Sequence, residues 1–160
     1  MTSVVIDLIG QHQTLFWLLT ISVDLAFALT LYRLYGKIGL YTSIILSILM
    51  ANLQGPKLTM IWLPIVGDMQ TSLGVILYSG IYFATDLLSE KYGKREAERA
   101  VMTGFVASII IVTMISISLH FAPSSVPETA QFSADVHGAF ATLFNFTPRF
   151  VFGSLFAHDG

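Results

Sequence analysis

Apolar residues fall along this chain in long blocks, and the block lengths predict helices that cross a bilayer. A spanning helix needs about 20 mostly apolar residues. The first block covers residues 14–34 and holds one charge, Asp24, before Arg33. No Lys or Arg precedes it, so the basic start of a secretory signal is missing and the segment reads as a retained helix. The second block covers residues 38–54 and stops at Gly55-Pro56, because proline lacks the N–H a helix needs. A third covers residues 72–89 and a fourth residues 100–121.

The segments between these blocks differ in kind. Residues 58–66 are apolar but too few to span, and Pro64 interrupts them. They are expected to lie along the interface or fold over a cavity, with Gly67-Asp68 as a turn. The run EKYGKREAER, from Glu90 to Arg99, is the charge-dense stretch. Its spacing of Glu90 with Lys94 and Glu96 with Arg99 predicts a short solvated helix. A loop with Pro123 and Pro127 follows the fourth block. In the tail, Thr147-Pro148 has the form of a helix start, a cap and then a first-turn residue with no N–H to satisfy. A helix from Pro148 to residue 160 extends about 18 Å, against a bilayer core of about 30 Å. The predicted fold is therefore an all-α integral membrane bundle, a single domain over residues 1–160. It has four full spans and the start of a fifth at 148–160.

Composition agrees. Of 160 residues, 54% are hydrophobic and 11% charged, whereas soluble domains average about 25% charged. That excludes a water-soluble globule. A net charge of -2 with no basic stripe excludes a nucleic-acid partner. With no cysteine there is no disulfide or thiol chemistry. His12, His120, His137 and His158 have no ligand spacing, so no metal site is expected. No nucleophile–base grouping or phosphate loop occurs, and neither an enzyme nor a cofactor is expected. The basic residues set an orientation. Arg33 and Lys37 follow the first span, and Lys91, Lys94, Arg95 and Arg99 follow the third, so both loops are expected on the cytoplasmic side. The N-terminus is then outside, and Lys57 and Arg149 are exceptions on the outer side.

Charged groups inside a span cost about 2.5–3.5 kcal/mol on insertion scales, so each needs a reason. Asp86 lies in the third span with Glu90 four residues on, and Tyr82 and Phe83 precede it on the same face. Two rings and two carboxylates on one stripe can stack a flat heterocycle and accept its paired N–H donors. The structural alternative stands beside this: Asp86 pairs with a helix end, Glu90 opens a solvated loop with Lys94, and the rings face lipid or a neighbour. Asn52, Gln54 and Lys57, at the outer end of the second span, either meet a base edge or cap a helix end, the lysine snorkelling. Arg149, near a predicted helix N-terminus, opposes the macrodipole and needs an acid or a ligand carbonyl. Asp24 is assigned to interhelical hydrogen bonding. Gly80 and Ala84 are spaced for close helix packing.

These same residues carry a family resemblance. Ala51-Asn52 followed by Lys57, then TDLLSEKYGKREAERAV from Thr85 to Val101, then Thr147-Pro148-Arg149, resemble the queuosine precursor transporter (vitamin uptake transporter) family over about residues 32–157. The resemblance implies a bacterial inner-membrane protein similar to the substrate-binding components of energy-coupling-factor transporters. It implies import of 7-deazaguanine bases such as 7-cyano-7-deazaguanine or queuine, for the queuosine modification of tRNA. The family's polar motifs fall on Asn52, Lys57, Thr85, Asp86, Ser89, Glu90, Tyr92, Gly93 and Arg149. After its proline-arginine helix start the family continues through further helices; here Ala157 is followed by His158-Asp159-Gly160, which implies a C-terminally truncated member. The expected substrate site comprises Asn52, Lys57, Tyr82, Phe83, Asp86 and Arg149, with Asp86 and Glu90 in coupling or gating. Expected partners are the small-molecule base, the lipid bilayer, and a homo-oligomer or coupling partner. The alternative is a non-transporting membrane binding or interaction subunit that needs a partner.

Overall fold

The computed structural model describes residues 12–63 and 65–156, with 145–156 described by backbone alone. The elements are α1 (Gln13–Tyr35), α2 (Lys37–Gln54), β1 (Leu58–Leu63), β2 (Gly67–Ser72), α3 (Leu73–Ile76), α4 (Tyr78–Tyr92), α5 (Lys94–Ser118) and α6 (Ala130–Phe156). Helix α2 is central and touches α1, α4, α5 and α6. Leu40 and Ile44 of α2 meet Ala84 and Leu88 of α4 and Ala97 and Ala100 of α5 in the buried core. The alanines let the helix backbones approach closely, the packing available where lipid removes the hydrophobic drive.

Among the described residues, α1, α2 and α5 are long and apolar enough to cross a membrane. Only Ala28 of α1 is buried, while Leu15, Leu19 and Phe27 lie open on its surface. Such an exterior is unfavourable in water and suits lipid. Helix hydroxyls on it are satisfied locally: Thr20 donates to the Phe16 carbonyl at 2.8 Å, Thr30 to Ala26 at 2.7 Å and Thr113 to Ile109 at 2.8 Å. In hydrocarbon no water is available to do this.

The all-α expectation is corrected by the hairpin. Strands β1 and β2 pair antiparallel, from Leu58 opposite Ser72 to Leu63 opposite Gly67. Leu63 pairs with Gly67 and the Val66 amide donates to the Leu63 carbonyl at 3.2 Å, so Gly67 and Asp68 are strand residues and not the turn. The strand alternates: Leu58, Met60 and Trp62 are exposed while Ile61 is buried. Thr14 ties the hairpin to the start of α1, donating to the Trp62 carbonyl at 2.8 Å and accepting from the Trp62 amide at 3.2 Å.

The expected third span is divided. Ser72 caps α3, accepting from the Gly74 amide at 3.1 Å and donating to the Gly55 carbonyl at 2.7 Å. At Leu77 the backbone tightens, its amide reaching Gly74 at 3.3 Å, three residues back. The Ser79 hydroxyl takes the Ile76 carbonyl at 2.7 Å, a side-chain bond that competes with the helix ladder. The charge-dense stretch is likewise no separate helix. Gly93 ends α4 at φ +95°, a conformation open to glycine, and α5 starts at Lys94. Lys94 is thereby taken off the Glu90 helix and pairs with Glu98 at 3.9 Å. The expected helix start at Pro148 is also corrected, since α6 already runs from Ala130. Crossing Pro148 costs about 3 kcal/mol or more. A stop and restart would leave several N–H and C=O groups without partners, a larger cost in lipid.

Candidate functional site

The two ends of the bundle differ chemically. At the end where α1 meets α2 and α4 meets α5, Glu96 forms an ion pair with Lys37, accepts from Tyr41 Oη at 2.9 Å and pairs with Arg99 at 2.9 Å. Its side chain is 16% exposed. Lys37 lies 5.8 Å from the Tyr92 ring centre and Lys91 lies 5.3 Å from that of Tyr32, both cation–π distances. The Tyr32 side chain holds the Lys91 ammonium above the usual lysine range. Tyr92 and Gly93, two residues of the family motif, therefore shape this end of the bundle: one seats Lys37, the other breaks the helix. The Glu96–Arg99 spacing was legible in the sequence; the links to Lys37 and Tyr41, more than 50 residues away, were not.

Helix α4 carries the expected acidic stripe, and the stripe faces outward. Tyr78, Tyr82, Asp86 and Glu90 recur every fourth residue and all are exposed, opposite the buried face of Gly80, Ala84 and Leu88. The Tyr78 and Tyr82 rings sit 6.5 Å apart. Asp86 and Glu90 form no ion pair among the described residues. Phe83 is half-buried, and Thr85 donates to its own helix at Ile81, 2.8 Å.

Asn52 lies elsewhere. Its Nδ2 donates to Ser108 Oγ of α5 at 3.0 Å, and Ser108 in turn donates to the Gly104 carbonyl at 3.0 Å. Both line a small cavity of about 20 Å³, with Phe144 also on its wall. Lys57 is exposed beyond the end of α2, its carbonyl accepting from the Leu73 amide at 2.9 Å. The Arg149 side chain lies outside the described residues. Asn52 stands 15 residues from the start of α2, about 22 Å along the axis, while Asp86 is six residues from the end of α4, about 9 Å. The structure thus brings Tyr82 and Asp86 together on one face and Asn52 to another, nearer the hairpin.

A larger cavity, about 460 Å³, opens between α1 and α2. Asp24, Thr20 and Phe27 of α1 line it with Ser43, Ser47 and Met50 of α2 and with Leu77. Ser47 Oγ donates to Asp24 Oδ1 at 3.4 Å, the interhelical bond expected for this acid. Across from it Gly80 has no room for a side chain: a Cβ there would overlap the Asp24 carboxylate. The small residue read as a packing position is the seat of an acid. A concave, mostly apolar pocket with a few convergent polar groups is the usual form of a ligand site. Its membership was missed because Asp24 was read apart from Ser43 and Ser47, which meet it only once α1 folds back on α2.

Comparisons with known proteins give the chain's family. The family model described as "Putative vitamin uptake transporter" matches residues 72–158, more than half of the chain. A Bacillus subtilis (strain 168) protein named "Probable queuosine precursor transporter" is 34% identical over 142 residues. That match takes in 89% of this chain and 57% of the relative, so the chain spans little more than half the relative's length. No solved structure matches. The chain belongs to the vitamin uptake transporter family.

Proposed function

We propose that this chain works in the bacterial inner membrane in the import of queuosine precursors, 7-deazaguanine bases such as 7-cyano-7-deazaguanine or queuine. The observation that carries the reading is the 34% identity, over 89% of the chain, to a protein named as a transporter of these precursors. The apolar exterior supports it, and so does the stripe on α4. An exposed carboxylate on a membrane helix is costly against lipid and belongs on a cavity or a solute path. In this reading α3, Leu77 and α4 serve together as one span, and α6 as another, giving the layout of an energy-coupling-factor substrate-binding component. The end carrying Lys37, Lys91, Lys94 and Arg99 lies in the cytoplasm and the N-terminus outside, following the basic residues.

The roles follow from depth. Asn52, Lys57 and Arg149 belong to an outer or central base site. Tyr82 and Phe83 offer rings for stacking. Asp86, on a different face from Asn52, gates the path rather than closing the site's floor, and Glu90 acts nearer the cytoplasmic end. The work is binding and passage, with no covalent chemistry. A test is rescue of tRNA modification. A bacterial strain unable to make 7-deazaguanine and lacking its own importer should regain queuosine in its tRNA when given external precursor and this protein. Unchanged tRNA, with the protein present in the membrane, would refute the proposal.

A second reading is favoured by the outward stripe, for which the described residues supply no cover: a membrane binding subunit whose partner closes the α4 face. Co-purification of a second membrane chain, lost on Asp86→Leu, would support it; transport by this chain alone would exclude it.

A further inference from the structure

Asp24 is a half-buried acid that no ion pair reaches among the described residues. It stands at the middle of the 23-residue α1. Its Oδ1 receives one long hydrogen bond from Ser47, at 3.4 Å. Its Oδ2 is buried with the Gly80 backbone beside it and has no side-chain partner among the described residues. An ionised carboxylate accepts at both oxygens, and no cation or short side-chain donor serves either one here. The groups that face it are uncharged: Ser43 and Ser47 from α2, Gly80 from α4, Leu77 at the joint, and Thr20 on its own helix. Strand β1, also packed on α1, holds no titratable residue. The charged and titratable residues of these helices, Arg33, Lys37, Tyr41, Asp86, Glu90 and Lys91 among them, do not line the groove. No ion pair includes Asp24 among the described residues.

A carboxylate inside a membrane without a cation is costly, whereas its neutral acid is not. The neutral form can rest with Oδ2 against the Gly80 backbone, where there is no room for a side chain. The anion needs water, and the 460 Å³ groove beside it, with three hydroxyls on its wall, has room for water.

We propose that Asp24 is a proton-binding site that couples proton movement to the packing of α1 on α4. A hydronium in the groove gives its proton to the carboxylate. One O–H bond forms, a water molecule remains, and the neutral acid seats against Gly80. Release reverses this: the carboxyl swings into the groove, the O–H bond breaks, and water takes the proton while the anion is hydrated. The two seats bias two packings of α1, the kind of bistable element a protonation switch requires. The inference rests on the transport reading above and names the proton as its coupling ion.

The test uses the 160-residue chain in liposomes and two readouts. Infrared titration with carboxyl-labelled aspartate should show a protonated-carboxyl band at neutral pH. Asp24→Asn, which keeps shape and removes the proton, should abolish the band; Asp86→Asn should keep it. No labelled band in the wild type, or the same band in Asp24→Asn, overturns the proposal. In uptake of labelled base, an inward proton gradient should raise accumulation severalfold in the wild type and leave Asp24→Asn at the level without a gradient. Wild-type accumulation indifferent to the gradient overturns the coupling role. If no base enters at all, the transport reading fails, and the infrared band still decides the assignment of Asp24.

Discussion

Replacing Gly80 with alanine puts a methyl group where the Asp24 carboxylate rests. The new Cβ would stand 2.7 Å from Asp24 Cγ and 3.1 Å from Oδ1, with Oδ2 nearer still. Either the acid rotates into the groove or α1 moves off α4. Overpacking of this kind costs about 1–3 kcal/mol. Alanine also favours a helix over glycine by about 0.8–1 kcal/mol, so the single variant loses between roughly zero and 2 kcal/mol. A double-mutant cycle separates the two effects. In an Asp24→Ala background the clash is gone and only the helix preference remains. There Gly80→Ala should stabilise the chain by up to about 1 kcal/mol. The coupling between the two sites should be about 1–3 kcal/mol, or several degrees at about 2–4 °C per kcal/mol for a chain of this size. Thermal unfolding of the detergent-solubilised chain, followed by circular dichroism, measures all four corners. An equal effect of Gly80→Ala in both backgrounds would refute the contact.

Four further outcomes follow from the geometry. Glu96→Gln cuts the charge links to Lys37 and Arg99 and should lower the unfolding midpoint, more at low salt than at high. Lys94→Gln, whose Glu98 partner is exposed, should leave the midpoint unchanged in the same assay. Ser108→Ala removes the partner of Asn52 and should cost about 1 kcal/mol, a loss that vanishes when Asn52 is already leucine. Asp86→Asn should leave the midpoint unchanged, because the residue is exposed and forms no ion pair among the described residues. It should reduce uptake of labelled base roughly tenfold or more, the loss of one charged hydrogen bond; full uptake would remove Asp86 from the path.

Helix positions were legible because the signals that mark them are local. The blocks at residues 14–34 and 38–54 became α1 and α2 with ends moved by a residue, and Gly55-Pro56 ended α2 as proline chemistry demands. The hairpin was hidden by its own composition. Met60, Trp62 and Leu63 all read as apolar, so the inward turn of Ile61 could not be told from the outward turn of its neighbours. The break at Leu77 depends on Ser79 capturing a carbonyl, a choice open to any helical serine. The start of α5 was displaced because charge density was taken as a boundary, whereas Gly93 makes it. The α6 boundary failed in the opposite sense: Thr147-Pro148 is a start signal only if no helix arrives from upstream. Among site residues, Asp24 was correctly given an interhelical bond. Its groove joins it to Ser43 and Ser47 on the next helix and its close contact to Gly80, more than 50 positions away, and no local pattern reports such meetings.

The account depends on a base crossing a membrane through this protein. The most direct measurement is uptake of radiolabelled 7-cyano-7-deazaguanine into liposomes holding the purified protein, beside empty liposomes. The expected result is saturable entry that unlabelled queuine suppresses and Asp86→Asn weakens. Entry no faster than into empty liposomes, from protein shown to be folded and inserted, would contradict it.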